Sequence, residues 1–251
     1  MRYLFPLLVL CQTSCLFQEE KSDAVLMHAL LIEGEPMDTL FWEVFPKGYS
    51  AEWGSMPAGF VHDTDAGITY QYTAISEGSA SSASGPSPVA GQRYEVLLET
   101  RDGRLEASVA MPPPIVNEFF SGENFTVDPD NPSEIAFLVN WQDMDGYSFL
   151  VTLENLEADP VTLPFVETGK FDTFYHDPIA QSFAALKSDF FTYYGHHRLT
   201  VYAIDKEYES VFYYLASGER NLLQAAPDNV DGGLGFVTGV SKWQTDIWLN
   251  P

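Results

Sequence analysis

The stretch from Gly91 to Pro114, GQRYEVLLETRDGRLEASVAMPPP, constrains the fold more than any other, because it combines a turn signal, strict alternation and a stop. Asp102-Gly103 is a pair favoured in two-residue type I′ turns, whose central residues both need φ > 0 and whose twist matches the flanking strands. Counting outward from that turn predicts Thr100 opposite Leu105, Leu98 opposite Ala107, Val96 opposite Val109 and Tyr94 opposite Met111, all on one face. Arg93, Glu95, Glu99, Arg104, Glu106 and Ser108 fall on the other face, so the sheet has one side on a core and one in water. Pro112, Pro113 and Pro114 have no N–H to give a ladder, and a stiff connector is expected to start there.

The rest of the chain reads mainly as strands. Val25 to Glu33 and Thr39 to Lys47 are β-rich runs separated by the turn cluster Gly34-Glu35-Pro36, and Ile68 to Ile75 alternates apolar with polar. Glu77 to Pro88, rich in Ser, Gly and Pro, has nothing to bury and reads as a flexible loop between strands, with a domain linker as the alternative. Past the prolines, Ile135 to Trp141 and Tyr147 to Glu154 flank the turn Gln142–Gly146, with the Trp-then-Tyr spacing of the second and third strands in fibronectin-III or immunoglobulin-like sandwiches. Phe171 to Gly195 is aromatic and takes no clear assignment. Arg198 to Ile204 reads as a strand, and Asp205 is placed to cap a short helix. Tyr208, Val211, Phe212 and Leu215 share one face of that helix, and Gly218 ends it. Asn229 to Phe236 leads into a further strand, and Trp243 to Leu249 forms the last.

The expected fold is therefore all-β, with one or two short helices, in two β-sandwich-like domains. The first, immunoglobulin-like, takes residues 24–111. Residues 112–116 are the proline connector, and residues 117–251 make a second domain that is fibronectin-III-like or irregular β-rich, with the helix near 206–217.

The chain opens with MRYLFPLLVLCQTSC, in which the apolar run from Tyr3 to Leu10 is less than half the length a membrane span needs and reads as the core of a secretory signal. Residues 1–14 are taken as a signal peptide. Thr13-Ser14 stands before Cys15 where a lipoprotein signal peptidase would cut, which makes Cys15 the expected lipidation site and residues 15–23 an acidic tether. The alternative is an ordinary secretory signal with incidental cysteines. The only other cysteine is Cys11, so the folded body has no thiol for a disulfide or a thiolate metal site. Twelve Lys+Arg against thirty-six Asp+Glu give a formal charge of −24, the opposite of the basic footprint that nucleic acid or anionic lipid requires.

Four groups of residues invite a chemical reading. Asp143-Met144-Asp145-Gly146 opens like a calcium loop but lacks the later oxygen ligands, so it reads as a turn. His196 and His197 are adjacent, would point to opposite faces of a strand, and read as a surface turn. Gly232-Gly233-Leu234-Gly235 has neither the Lys nor the following helix of a phosphate loop; glycines entering a strand permit φ > 0 or a bulge. The aromatic set Phe171, Phe174, Tyr175, Phe183, Phe190, Phe191, Tyr193 and Tyr194 reads as core, with a glycan- or peptide-binding lining as the alternative. No nucleophile elbow and no defensible acid–base carboxylate pair is present, so no catalytic residue, metal ligand or cofactor is assigned.

The secretory cysteine, the phrase GQRYEVLLETRDGR followed by prolines, RLTVYAIDKEYESVFYYLAS and NVDGGLGFVTG, taken in that order, resemble the Bacteroidota lipoproteins grouped as domain of unknown function 4249. Gln18-Glu19-Glu20-Lys21 resembles the acidic patch behind the lipidated cysteine of such proteins when they face the cell exterior, although a solvated tether would look the same. The resemblance implies an outer-membrane lipoprotein with an N-terminal immunoglobulin-like domain and a second β-rich domain, accessory to a TonB-dependent transporter. The expected function is that of a non-enzymatic surface lipoprotein that binds a ligand or partner. The alternative is a secreted or surface hydrolase with an unrecognised carboxylate site.

Overall fold

The computed structural model describes residues 24–37, 39–45, 58–76, 79–82, 84–100, 103–166, 171–217 and 226–251. The strands are β1 (Ala24–Ile32), β2 (Thr39–Phe45), β3 (Ala58–Asp63), β4 (Ile68–Ser76), β5 (Ser79–Ser81), β6 (Arg93–Thr100), β7 (Gly103–Ala110), β8 (Asn117–Phe120), β9 (Asn124–Thr126), β10 (Ile135–Trp141), β11 (Tyr147–Asn155), β12 (Thr173–Tyr175), β13 (Phe183–Lys187), β14 (Gly195–Asp205) and β15 (Leu234–Asn250). One α-helix, α1 (Glu209–Ser217), stands among them. The chain is all-β, as its alternating patterns predict. The proposed leader, Cys15 and the tether lie outside the described residues.

The first core is enclosed by strands that run in the order β15-β1-β2-β5-β4-β3-β6-β7. Met27, Ala29 and Leu31 of β1 and Val237 of β15 meet Val61, Tyr72, Tyr94, Val96, Leu98, Leu105, Ala107 and Val109 from the far strands. The series curls until β7 meets the chain again: Glu106 and Asp231 exchange backbone hydrogen bonds of 3.0 and 2.8 Å, three residues before β15 begins. The second core lies between two sheet layers. One is β12-β11-β14 with the distal half of β15, and the other is the three-stranded β13-β10-β8. Phe137, Val139, Trp141, Phe149, Val151, Leu199, Val201 and Ile247 fill the space between them. Met111 is buried in the first core and Ile115 in the second, so the prolines pass from one to the other within four residues.

β15 belongs to both units. Leu234 to Val240 pair in parallel with β1, and Val240 to Leu249 pair antiparallel with β14. Its 17 residues span roughly 55 Å, and strand periodicity holds along the whole length: Val237 faces the first core, while Trp243, Ile247 and Leu249 face the second. The sequence suggested two strands here, 234 onward and Trp243–Leu249; they are one. Near the changeover, Lys242 donates its backbone N–H to Glu33 (2.9 Å) and its ammonium to Glu35 (2.7 Å), which ties the β1–β2 turn to the strand.

α1 covers the seam between the units. Val211 and Phe212 bury against Leu150 of β11, Ile204 of β14, and Phe236 and Val240 of β15. A nine-residue helix is too short to persist alone in water; burial of these two side chains, worth about 1.5–3 kcal/mol each, holds it in place. Asp205 caps the preceding 3-10 turn, accepting from the Glu207 N–H at 3.1 Å. Gly218, expected to end the helix, lies outside the described residues.

Two further expectations, both in the first unit, need correction. β6 and β7 pair with Tyr94 opposite Val109, Val96 opposite Ala107, Leu98 opposite Leu105 and Thr100 opposite Gly103, two residues away from the expected register. Gly103 starts the return strand without a positive φ, and the connection falls at residues 101–102, which lie outside the described residues. A shift of two leaves every side chain on its expected face, so Tyr94, Val96, Leu98, Leu105, Ala107 and Val109 are all buried as predicted. The Ser/Gly/Pro-rich run is not a loose loop. Ser79–Ser81 forms β5 between β2 and β4, and Pro86 and Pro88 are buried, with their carbonyls accepting from the N–H groups of Met37 (2.9 Å) and Gly34 (2.8 Å).

Candidate functional site

β12 is a three-residue edge strand that pairs with β11, setting Tyr175 beside Thr152 and Thr173 beside Glu154. On this outer face of the sheet α1 lies nearby, and between strand and helix opens a cleft of about 450 Å³ lined by Phe171, Thr173, Phe174, Tyr175, Asp177, Tyr213, Ala216 and Ser217. Its volume is that of an ordinary small-molecule site. Phe171, Tyr175 and Tyr213 are each 39% exposed, which is unusual for rings of this size at one place.

The phenylalanines of the cleft are held from behind. Phe174 stacks on Phe190 with centroids 4.5 Å apart and planes at 18°, and Phe171 lies 5.8 Å from Phe174. His176 packs edge-on to Phe190 at 5.7 Å, and its Nδ1 lies 2.7 Å from the Asp177 carbonyl, which fixes the backbone that carries the Asp177 carboxylate. The His176 N–H donates to Val151 at 2.9 Å and so prolongs the pairing of the edge strand. On the opposite wall the Ser217 hydroxyl donates to the Tyr213 carbonyl at 2.8 Å. Partial burial, together with the Glu209 and Asp177 carboxylates, pushes the Tyr213 phenol above its ordinary pKa. That shift records a negative local field as well as desolvation.

The aromatic set singled out in the sequence divides three ways. Phe171, Phe174 and Tyr175 line the cleft, and Phe190 supports it. Phe191 is buried in the second core, and Phe174, Phe190 and Tyr194 pack partly against it, as the core reading has it. Phe183, 51% exposed, sits on the outer face of the three-stranded sheet, away from the cleft. Sequence reasoning missed Tyr213 and Asp177. Tyr213 falls off the apolar stripe of its helix, and a solvent-facing aromatic beside an amphipathic stripe was the available signal.

The remaining motifs lie away from the cleft. Asp143 accepts from the Ser182 hydroxyl at 2.8 Å, and Gly146 turns the chain at φ +87°, so the tetrapeptide is a turn. His196 and His197 lie in β14 and not in a surface turn, and they face opposite ways as a strand demands. His196 stacks on Trp248 with centroids 4.5 Å apart and lies 3.1 Å from the Asp246 carboxylate, which also faces Arg198 at 3.5 Å. His197 is buried against Phe191, with Nδ1 3.0 Å from the Gly195 carbonyl and Nε2 3.2 Å from the Asn155 amide nitrogen. That pattern suits a neutral ring, with Nδ1–H donating and Nε2 accepting, and burial lowers its pKa.

The glycine motif lets the returning chain into the first unit. Gly232 (φ +82°) and Gly235 (φ +112°) both pass within touching distance of backbone; a Cβ would lie 2.2 Å from the Arg104 and Met27 carbonyl oxygens respectively. Asn229 imitates a strand neighbour, donating to the Val237 carbonyl at 2.7 Å and accepting its N–H at 2.8 Å.

Among the described residues no group of three or more His, Cys, Asp or Glu is placed to hold a metal ion, and no helix is long and apolar enough to cross a membrane. No family model and no curated protein matches the chain. Among solved structures it is similar to the BSP domain of a biofilm-associated protein, at 15% identity and a TM-score of 0.25, over 90% of this chain and 29% of that one. It is also similar to the titin domains Z1Z2 in complex with telethonin, at 12% identity and 0.23, over 91% and 98% of the two chains. Chicken CNTN1 domains FN1–FN3 align at 10% identity and 0.23, over 72% and 61%. The chain thus spans about 29% of the length of the first of these.

Proposed function

We propose that this protein is a non-enzymatic surface lipoprotein of the outer membrane, anchored through Cys15, that captures a small ligand beside a TonB-dependent transporter. The observation that carries the binding role is the cleft between β12 and α1, where Phe171, Tyr175 and Tyr213 stand 39% exposed and Asp177 also lines the wall. Leaving three large rings half in water forgoes hydrophobic stabilisation unless a ligand covers them. The lipid anchor rests on the apolar leader followed by Cys15. The outer-membrane address and the transporter rest on the resemblance to the domain of unknown function 4249 lipoproteins.

The test has two arms. Cells fed a palmitate analogue should label the wild type and not Cys15→Ala; a labelled Cys15→Ala protein would remove the anchor. Native mass spectrometry of the protein extracted from membranes should show a bound small molecule, and Tyr175→Ala with Tyr213→Ala should lose it. Turnover of glycan or peptide substrates by the same preparation would replace the binding reading with the hydrolase.

A further inference from the structure

The ring-lined cleft has a sign. Among the described residues that line it, Asp177 is the one carboxylate and there is no Lys, Arg or His, and Glu209 begins the helix that forms one wall. Burial first, and then the Glu209 and Asp177 carboxylates, push the Tyr213 phenol above its ordinary pKa. Around this lies a chain of formal charge −24, which enriches cations and repels anions at its surface. Aromatic faces carry negative quadrupole potential, so rings beside a carboxylate attract positive charge over their faces. An anionic ligand would meet the same field with the wrong sign.

We propose that the ligand enters this cleft by a cationic organic group, a substituted ammonium, seated against Phe171, Tyr175 and Tyr213 with Asp177 as its counter-ion. The proposal rests on the binding role argued above and specifies its ligand class. The charge can come from a free quaternary amine or from the side chain of a lysine-containing peptide; the chemistry at the rings is shared.

The experiment is a titration of the full chain in nonionic detergent, read from the ring signals of isotopically labelled tyrosine. The probes are choline, its neutral isostere 3,3-dimethylbutanol, N-acetyl-lysine amide and methyl glucoside. Choline should shift the Tyr175 and Tyr213 signals saturably and bind at least roughly threefold more tightly than the isostere. A response to N-acetyl-lysine amide as strong as that to choline points to peptide as the source, and a weaker one to a free quaternary amine. Asp177→Asn should weaken choline by a similar factor. Tyr213→Phe, which keeps the ring, should retain binding that Tyr213→Ala loses. Equal affinity for choline and its isostere, or no effect of choline on either tyrosine, overturns the proposal. If methyl glucoside moves the same signals while choline does not, the cleft remains a ligand site and its ligand is neutral, so the two claims fail separately.

Discussion

His197 shows at the scale of one residue what burial does to chemistry. Its ring is 3% exposed, and removal from water lowers its pKa against the opposing pull of the Gly195 carbonyl. The unfolded chain, with a histidine pKa of about 6.5, therefore binds the proton more readily than the folded one. Stability from this group is complete above about pH 6.5 and is lost as pH falls through the lower folded value. Urea unfolding at about pH 8 and pH 5.5 should show a fall in stability on acidification that His197→Gln reduces. If wild type and variant fall equally, His197 is not the group responsible. The sequence offered the adjacency of two histidines and the opposite faces a strand would give them. It did not place them on a strand, because Gly195 and the aromatic run before it obscure where β14 begins.

At the scale of elements, faces were legible where register was not. Alternation in β6 and β7 puts Tyr94, Val96, Leu98, Leu105, Ala107 and Val109 inside whether the pairing sum is the expected one or two residues lower. Only the turn decides between those registers, and the Asp-Gly signal pointed to a different pair from the one the strands leave at residues 101–102. The glycines now exchange roles. Gly103, without a positive φ and with nothing within 4 Å of a Cβ position, should accept Ala within about 0.5 kcal/mol. Gly235, at φ +112° with the Met27 carbonyl 2.2 Å from that position, should lose about 2 kcal/mol or more on the same change. Chemical denaturation of the two variants decides this, and equal losses would contradict the close entry of β15 beside β1. What no local pattern could announce is that 234 onward pairs with residue 26 onward, a contact across most of the chain. The motif NVDGGLGFVTG carried the trace of it, since two glycines in left-handed backbone mark a close approach by something that the local sequence does not contain.

For the whole molecule, the claim on which the binding role stands is that a single strand joins two cores into one frame, against which the cleft keeps its shape. β15 carries Val237 into the first core and Ile247 into the second, and α1, one wall of the cleft, buries Val211 and Phe212 across the seam. An edge strand of three residues and a helix of nine are marginal alone, so the cleft depends on that frame. The sequence showed two β-rich stretches and a proline connector, which is a picture of two beads; the shared strand was hidden because it returns from the far end of the chain. The most direct measurement is unfolding of the full chain in urea, with hydrogen exchange followed separately in peptides from β6–β7 and from β10–β11. One transition with coincident midpoints is expected, and Val237→Asp, which places a charge in the first core, should lower both together. A β10–β11 midpoint that stays at the wild-type value while β6–β7 unfolds would show two independent units and contradict the account.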